Sequence, residues 1–198
     1  MLTDSKEFKN KNKQGSDLTT SITSPASTIL VENNESYLNF VKTDVAPQEW
    51  FKAFLKPDNI FVNTPNIDIS PKTQYTFSFL AKGSGEHIVF AYNSWTSLPP
   101  SGNLRINLTN EWELYTLTVT SSDIVPDKNI QFFIRSATNG TEVNLKKPKV
   151  EPGSNATTWI PSVSEVTTDD YPSYIGTYVG KIVDGQSTDP TKYNWQKI

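Results

Sequence analysis

The sequence predicts an all-β fold, and two observations support that prediction. Apolar and polar residues alternate in several short runs, which is the period of a half-buried strand and not that of a helix. Clusters of Gly, Pro, Asn and Asp separate these runs, as turns do between neighbouring strands. Over 198 residues without an internal repeat, about eight or nine short strands of this kind predict one β-sandwich followed by a smaller appendix.

The clearest strand lies in the first half of the chain. Between Thr73 and Ala81, Tyr75, Phe77 and Phe79 alternate with Thr76 and Ser78, so the aromatic side chains are expected on one face. Similar β-rich runs are predicted as strands over Thr28–Val31, Tyr37–Val41, His87–Tyr92, Leu104–Leu108, Tyr115–Val119, Ile130–Ile134 and Glu142–Val150.

Three clusters are predicted to be turns. Lys82–Gly85 and Pro99–Asn103 interrupt the apolar runs with Gly, Ser and Pro. Asn139-Gly140 is typical of a tight primed hairpin turn, because both residues tolerate a positive φ. Further on, 163–170 is short, polar and without apolar periodicity, so it is predicted to be a linker.

Composition excludes several classes of function. A net charge of −3 gives no basic surface for nucleic acid. No apolar run is long enough for a membrane helix, and the first thirty or so residues lack the pattern of a signal peptide. The absence of Cys excludes disulfides, zinc-thiolate sites and thiol catalysis.

The sequence favours a protein that is not an enzyme. His87 is the single histidine and falls within a predicted strand, where a hydrogen-bonded structural role is expected. Two carboxylates suffice for glycoside hydrolysis, but the acidic residues are scattered over loops. The acidic pair Asp169-Asp170 falls in the predicted linker, and no phosphate-binding glycine loop is present.

Four segments resemble parts of known proteins. Tyr171–Gly180 (YPSYIGTYVG) and Gln186–Ile198 (QSTDPTKYNWQKI) resemble a linking element that recurs in tail and baseplate proteins of phages infecting Gram-positive bacteria. Lys149–Pro161 (KVEPGSNATTWIP) resembles the closing strand and exit loop of the carbohydrate-binding, jelly-roll modules of those proteins, and Leu2–Phe8 resembles their opening strand.

The resemblance implies a jelly-roll β-sandwich over 1–162, a linker over 163–170 and a tail-protein linking element over 171–198. It implies non-catalytic binding of a wall or surface polysaccharide of a Gram-positive host, by a protein of the virion that contacts other phage tail proteins and forms a homo-oligomer there. Two alternatives stay open: an ancillary module of a wall-degrading hydrolase, and a purely structural baseplate spacer.

Sugar binding directs attention to exposed aromatic rings beside polar groups, because a pyranose presents both C–H faces and hydroxyls. Trp95 follows a predicted strand and precedes a Pro-rich turn, which makes it the first candidate. Neighbouring Tyr92 and Asn93, together with Arg105, would complete its site. Trp50 and Phe54 form a second aromatic group, and Arg135 is a weaker candidate. The polar residue Thr96 is also in reach of Trp95 along the chain.

The other tryptophans are assigned by the resemblance. Trp112 corresponds to a Trp that opens a core strand, so truncation there is expected to be as costly as any core truncation. Trp159 corresponds to the exit-loop Trp and is expected to have a structural role, and Trp195 belongs to the linking element. No cofactor is required, but the modules often hold a structural Ca²⁺ where the first and last strands meet. The nearest carboxylates would be Asp4, Glu7 and Glu151.

The last segment is rich in aromatic residues. It contains many large apolar side chains, including Tyr178, Tyr193 and Trp195, and together they would expose too much apolar surface to water. The segment is therefore expected to pack on the sandwich, a sister chain or a following domain. The resemblance implies that more protein follows Ile198 and that Met1 is an added or replaced start.

Overall fold

A computed structural model describes the parts of the chain that build the sandwich and part of the last segment. Contacts divide the chain into two compact units, Met1–Glu165 and Val166–Ile198. The described residues are 2, 5–9, 22–23, 27–42, 59–63, 69–92, 104–123, 131–136, 138–161, 165–167, 170, 174–180 and 192–197.

The prediction of an all-β, jelly-roll β-sandwich is confirmed. The strands are β1 Ile22–Thr23, β2 Thr28–Glu32, β3 Glu35–Val41, β4 Asn59–Asn63, β5 Gln74–Tyr92, β6 Leu104–Leu108, β7 Glu113–Thr120, β8 Gln131–Ser136, β9 Glu142–Pro152, β10 Tyr174–Thr177 and β11 Asn194–Lys197. No helix within the described residues is long and apolar enough to cross a membrane.

The first nine strands form two antiparallel sheets that share β5. Sheet I has the order β1-β4-β8-β5-β6, and sheet II has the order β2-β3-β9-β5-β7. The first half of β5 pairs with β7 and β9, and its second half pairs with β6 and β8. A single strand therefore runs through both layers of the sandwich.

The predicted turn at Lys82–Gly85 is wrong, because β5 continues through it for 19 residues. Gly83 and Gly85 have φ values of 153° and 82°, so they bend the strand without ending it. A Cβ on Gly83 would lie 2.0 Å from the carbonyl oxygen of Glu142, so the close approach of β9 requires glycine there. The change of sheet occurs at this bend.

The core lies between the two sheets. The rings of Phe77 from sheet II and Phe132 from sheet I stack with centroids 4.7 Å apart. The predicted inward faces are confirmed, since the buried cluster includes Tyr75, Phe77, Phe79, Leu117, Val119, Phe132 and Ile134. Burying each such side chain contributes about 1.5–3 kcal/mol, which makes this cluster the main source of stability.

The exit segment after β9 is held to sheet II by polar contacts. The Nζ of Lys149 donates to the hydroxyl of Thr157 and to the carbonyl oxygen of Thr158, and the indole Nε1 of Trp159 donates to the carbonyl oxygen of Pro148 over 3.2 Å. Trp159 thus connects the exit segment to β9, in agreement with its expected structural role.

A hydrogen bond from β5 holds the start of the exit segment. The hydroxyl of Thr76 donates to the carbonyl oxygen of Gly153, the residue after β9, over 2.8 Å. Thr76 is buried, although its side chain faces away from the core.

The predicted hairpin at Asn139-Gly140 is also wrong. The flanking strands β8 and β9 lie in different sheets, and only Gly140 of this pair has a positive φ. The two-residue hairpin is instead at Asn33-Asn34, between β2 and β3, where φ is 53° and 64°. Asn adopts the left-handed conformation more readily than most residues, which allows a primed turn without glycine.

In the second unit, β10 and β11 form an antiparallel pair that aligns Gly176 with Trp195. The rings of Tyr178 and Tyr193 lie 5.3 Å apart beyond the end of this pair. Val179 is 88% exposed. The expected docking of this segment on another surface stays a prediction.

Candidate functional site

Four of the predicted sugar-binding residues, Trp50, Phe54, Asn93 and Trp95, lie outside the described residues, as does Thr96. Tyr92 is the last residue of β5 and pairs with Gln131 of β8. Arg105 lies in β6, the neighbour of β5 on the other side. The two described members of the predicted site, Tyr92 and Arg105, therefore belong to neighbouring strands of sheet I, and the site itself stays a prediction.

Arginine side chains line the outer face of sheet I, the face turned away from the core. Ile88 of β5 pairs with Arg105 of β6 on one side and with Arg135 of β8 on the other. Arg105 is exposed and its guanidinium contacts a carboxylate oxygen of Glu86 at 2.5 Å. Arg135 is half-buried. The fold thus brings Arg105 and the weaker candidate Arg135 onto one surface across three strands.

Next to these arginines lies an aromatic pair. Phe90 and Phe133 stack with centroids 5.0 Å apart and ring planes 10° apart. Both are buried, yet they do not belong to the core cluster between the sheets. The outer face of sheet I is therefore apolar around this pair, and the exposed polar residues Arg105, Glu86 and Asn107 lie on the same face among the described residues.

A planar guanidinium held by a carboxylate is a suitable hydroxyl-binding group. Arg105 donates several N–H groups in fixed directions, and the oxygens of Glu86 accept. A sugar hydroxyl is both donor and acceptor, so the pair can bind adjacent hydroxyls of one ring. Because the Phe90–Phe133 stack is buried, the flat stacking partner for such a ring has to come from elsewhere, and Trp95 stays the predicted residue.

His87 has a structural role. It is buried, its Nε2 lies 2.9 Å from the carbonyl oxygen of Ser84, and its Nδ1 lies 3.0 Å from the hydroxyl of Ser136. A carbonyl oxygen only accepts, so Nε2 carries the proton and Nδ1 accepts from Ser136. Burial lowers the pKa of His87. Both ring nitrogens are engaged, as expected for a structural histidine.

The predicted calcium ligands are engaged elsewhere or lie outside the described residues. Asp4 is not among those residues, and Glu7 forms an ion pair with Lys9. Glu151 accepts hydrogen bonds from the amide and hydroxyl of Thr157, and it contacts Lys149 Nζ at 2.9 Å. No group of three acidic or histidine side chains suited to a metal occurs in the described part of the chain. A structural calcium stays a prediction.

A second polar and aromatic surface lies on the outer face of sheet II, and sequence reasoning missed it. We call it the tryptophan–lysine cluster, and it consists of Glu32, Glu35, Tyr37, Lys82, Trp112, Lys146 and Lys147. The ammonium groups of Lys82 and Lys146 lie 4.9 and 4.4 Å from the ring centroid of Trp112. The indole N–H donates to Glu32 over 2.7 Å, and Tyr37 meets the ring edge-on at 5.5 Å.

The two carboxylates of the cluster are each paired with lysine. Lys82 contacts Glu32 at 2.9 Å, and the hydrogen bonds from Lys82 and Trp112 lower the pKa of Glu32. Glu35 pairs with both Lys146 and Lys147. Burial alone would raise the pKa of Glu35, but these two lysines outweigh burial and lower it. Both carboxylates are therefore ionised at neutral pH.

A β-bulge explains why two consecutive lysines reach one carboxylate. In β9 the pairing with β5 shifts between Ser78 and Leu80, and Lys147 has a φ of 53°. A bulge of this kind places two successive side chains on nearly the same side of a strand. Lys146 and Lys147 consequently both face the outer surface of sheet II.

The expectation that Trp112 is a core residue is wrong. Trp112 is half-buried and lies outside the core cluster. The alternation of β7 indicates the outward position of Trp112. The odd-numbered residues Tyr115, Leu117 and Val119 point inward, and the even-numbered residues point outward. Trp112 has an even number and directly precedes β7, so its ring packs on lysine side chains and not on the phenylalanines of the core.

No protein-family model matches this sequence, and neither does any curated protein sequence. Among solved structures, the chain is similar to a CBM4 protein, with a TM-score of 0.43, 20% identity and coverage of 64% of this chain and 78% of that one. It is similar to the tripod (BppUct-A-L) from the baseplate of bacteriophage Tuc2009, with a TM-score of 0.39, 24% identity and coverage of 84% of this chain and 63% of that one.

A third similar structure is the CBM22-1 xylan-binding domain from Paenibacillus barcinonensis Xyn10C, with a TM-score of 0.41, 10% identity and coverage of 70% of this chain and 89% of that one. All three TM-scores lie below 0.5. The β-sandwich fold follows from the strand pairing itself.

Proposed function

We propose that this protein binds a host cell-surface glycan without catalysis, as part of a phage tail or baseplate adhesion device. The observation that supports this function is the Arg105–Glu86 pair on the outer face of sheet I, beside the strand that leads through Tyr92 to Trp95. A sugar would stack on Trp95 and direct its hydroxyls to the guanidinium and the carboxylate.

The exit loop and the last segment resemble those of phage tail proteins, which supports a role of this binding in a phage tail or baseplate. We infer that the glycan is a wall polysaccharide or teichoic acid of a Gram-positive host. One shallow site binds weakly, and several copies around a tail axis would raise the overall affinity through effective concentration.

The test is a pull-down and titration with purified host wall material. Trp95→Ala and Arg105→Ala are each expected to lose most of the binding, since one aromatic stack contributes about 1 kcal/mol or more beyond its buried area. The melting temperature of Arg105→Ala should stay within about 4 °C of the parent, because Arg105 is exposed. The same is expected of Trp95→Ala, since a ring that stacks on a sugar has to be accessible.

Lys72→Ala is the matched control for Arg105→Ala. Lys72 also forms an exposed ion pair, with Asp123 at 3.3 Å, but it does not lie in sheet I. Equal binding by Arg105→Ala and Lys72→Ala would exclude the outer face of sheet I as the glycan site. Absence of binding by the unmutated protein and by the variants would favour the structural spacer. Release of polysaccharide fragments by any longer protein that contains this domain would favour the hydrolase module.

A further inference from the structure

The outer edge of sheet II exposes apolar side chains. Among the described strands, β2 pairs with β3 alone and is the last strand of its sheet. Ile29, Leu30 and Val31 are 38%, 41% and 68% exposed. Edge strands are usually protected by Pro, Lys, a bulge or an inward charge. The segment Thr28–Glu32 contains no Pro and no Lys, and it pairs with β3 without a register shift.

The hairpin determines which backbone groups of β2 face the open side. Asn33-Asn34 is a two-residue turn, and Glu32 pairs with Glu35 at its base. The closing pair of such a hairpin exchanges both backbone hydrogen bonds, and hydrogen-bonded pairs recur at every second residue. Glu32, Leu30 and Thr28 therefore direct their backbone groups to β3. Ile29 and Val31 direct theirs to the open edge.

We propose that β2 pairs in antiparallel orientation with β2 of a second copy of this chain, centred on Leu30. In that register Ile29 lies opposite Val31 of the other copy, and the two residues exchange both backbone hydrogen bonds. The same pairing repeats on the other side of the twofold axis, so both N–H groups and both carbonyl groups at each edge are satisfied. Leu30 then lies opposite its own counterpart.

The strand is self-complementary in this register. A twofold dimer requires that one surface match itself, and Thr-Ile-Leu-Val-Glu read against its own reverse places apolar residues opposite apolar residues. At each end the polar side chain of Thr28 lies opposite that of Glu32, so no charged residue faces an apolar one across the pair. Registers centred on Ile29 or Val31 leave part of the edge unpaired.

Electrostatic repulsion does not oppose the pairing. Glu32 and Glu35 are the acidic residues nearest the edge, and their four copies would come together in the dimer. Each is already neutralised within its own chain, Glu32 by Lys82 and Glu35 by Lys146 and Lys147. The tryptophan–lysine cluster thereby leaves the edge without a net negative charge.

The proposed dimer joins two copies of sheet II into one continuous sheet of ten strands. Each copy contributes one short strand, so the interface is small for a stable complex, and it should dissociate on dilution. The glycan-binding proposal is independent of this pairing, but a dimer would carry two outer faces of sheet I and would bind polymeric glycan with higher avidity.

The first experiment uses the absence of cysteine from the chain. In Leu30→Cys the two cysteines form a non-hydrogen-bonded pair, whose Cα atoms lie about 4.5 Å apart, within the range of a disulfide. In Val31→Cys the two cysteines are displaced by two residues along the strands, which places their Cα atoms roughly 8 Å apart and beyond that range. Mild oxidation is expected to link Leu30→Cys into a reducible dimer at least tenfold faster than Val31→Cys.

Val179→Cys, which is 88% exposed in the second unit, measures the rate of random collision. Equal rates for Leu30→Cys and Val179→Cys would overturn the proposal, and so would faster linking of Val31→Cys than of Leu30→Cys. All three positions are exposed or partly exposed, and circular dichroism checks that each variant is folded.

The second experiment measures association without a covalent bond. Sedimentation of the parent over a wide concentration range is expected to show a reversible monomer–dimer equilibrium. Val31→Lys should raise the dissociation constant at least tenfold, while Leu114→Lys, at a residue 62% exposed in β7, should leave it unchanged. A parent that stays monomeric at every concentration would overturn the proposal.

Discussion

Replacing Trp112 with alanine tests whether the outer face of sheet II stabilises the fold by cation–π contacts. The ring contacts two ammonium groups, the edge of Tyr37 and, through its N–H, Glu32. All of these contacts lie on the solvent side of the sheet. Removing the ring leaves no closed cavity, because solvent can fill the vacated space.

The expected cost follows from these contacts. Each ammonium over an exposed ring contributes about 0.5–1 kcal/mol, and an edge-to-face aromatic pair contributes about 0.5–1.5 kcal/mol. Allowing for non-additivity among neighbours, Trp112→Ala should lower the free energy of unfolding by about 2 kcal/mol. Phe77→Ala, which empties a fully buried site stacked on Phe132, should cost about 3–5 kcal/mol.

Urea unfolding followed by far-ultraviolet circular dichroism provides the measurement, because that signal does not depend on the removed indole. The slope with urea should be the same in the parent and both variants, so that the midpoints alone report stability. Trp112→Phe should fall between the parent and Trp112→Ala, since it keeps the ring but loses the N–H that binds Glu32. The parent should also lose more stability in high salt than Trp112→Ala does.

Two results would refute this reasoning. A cost for Trp112→Ala equal to that of Phe77→Ala, or failure to fold, would mean that Trp112 acts as a core residue. An unchanged midpoint would mean that the lysine and tyrosine contacts contribute nothing to folding.

Two further predictions follow from buried groups. Burial lowers the pKa of His87 in the folded protein. The unfolded chain therefore takes up a proton near pH 6.5 that the folded chain does not. The free energy of unfolding should keep its full value above about pH 6.5 and decrease as the pH falls below it. His87→Gln should therefore show a smaller change in urea midpoint between about pH 7.5 and 5.5 than the parent, and an equal change would contradict the assignment. Gly83→Ala should lower the melting temperature strongly, because the added Cβ would overlap the backbone of Glu142. In the control Gly140→Ala the added Cβ meets no atom within 4 Å, so only the smaller cost of a positive φ is expected. Similar melting temperatures for the two variants would argue against the close approach of β9.

The sequence was sufficient to predict the faces of individual strands. Alternation is a local property, so the inward positions of Tyr75, Phe77 and Phe79 could be predicted without knowing which strands pair. The turn at Lys82–Gly85 could not be predicted correctly, because the same two glycines can end a strand or bend it. Only the partner strand β9, about sixty residues further along the chain, distinguishes the two outcomes.

The candidate sites show the same limit. Arg105 was predicted from the sequence, but its partner Glu86 and its relation to Arg135 depend on the order of strands in sheet I. Trp112 was assigned to the core, and its actual partners Lys82 and Lys146 are distant in sequence. Contacts across strands arise from sheet topology, which local patterns do not specify.

The passage of β5 through both sheets has a mechanical consequence. Where two sheets are held together only by the packing between them, a pulling force can slide one sheet over the other once that packing loosens. Here the two layers share one continuous strand, paired with β7 and β9 in one half and with β6 and β8 in the other. Sliding would have to rupture backbone hydrogen bonds on both flanks of β5, so under force the sandwich should yield in one abrupt step and not by gradual peeling.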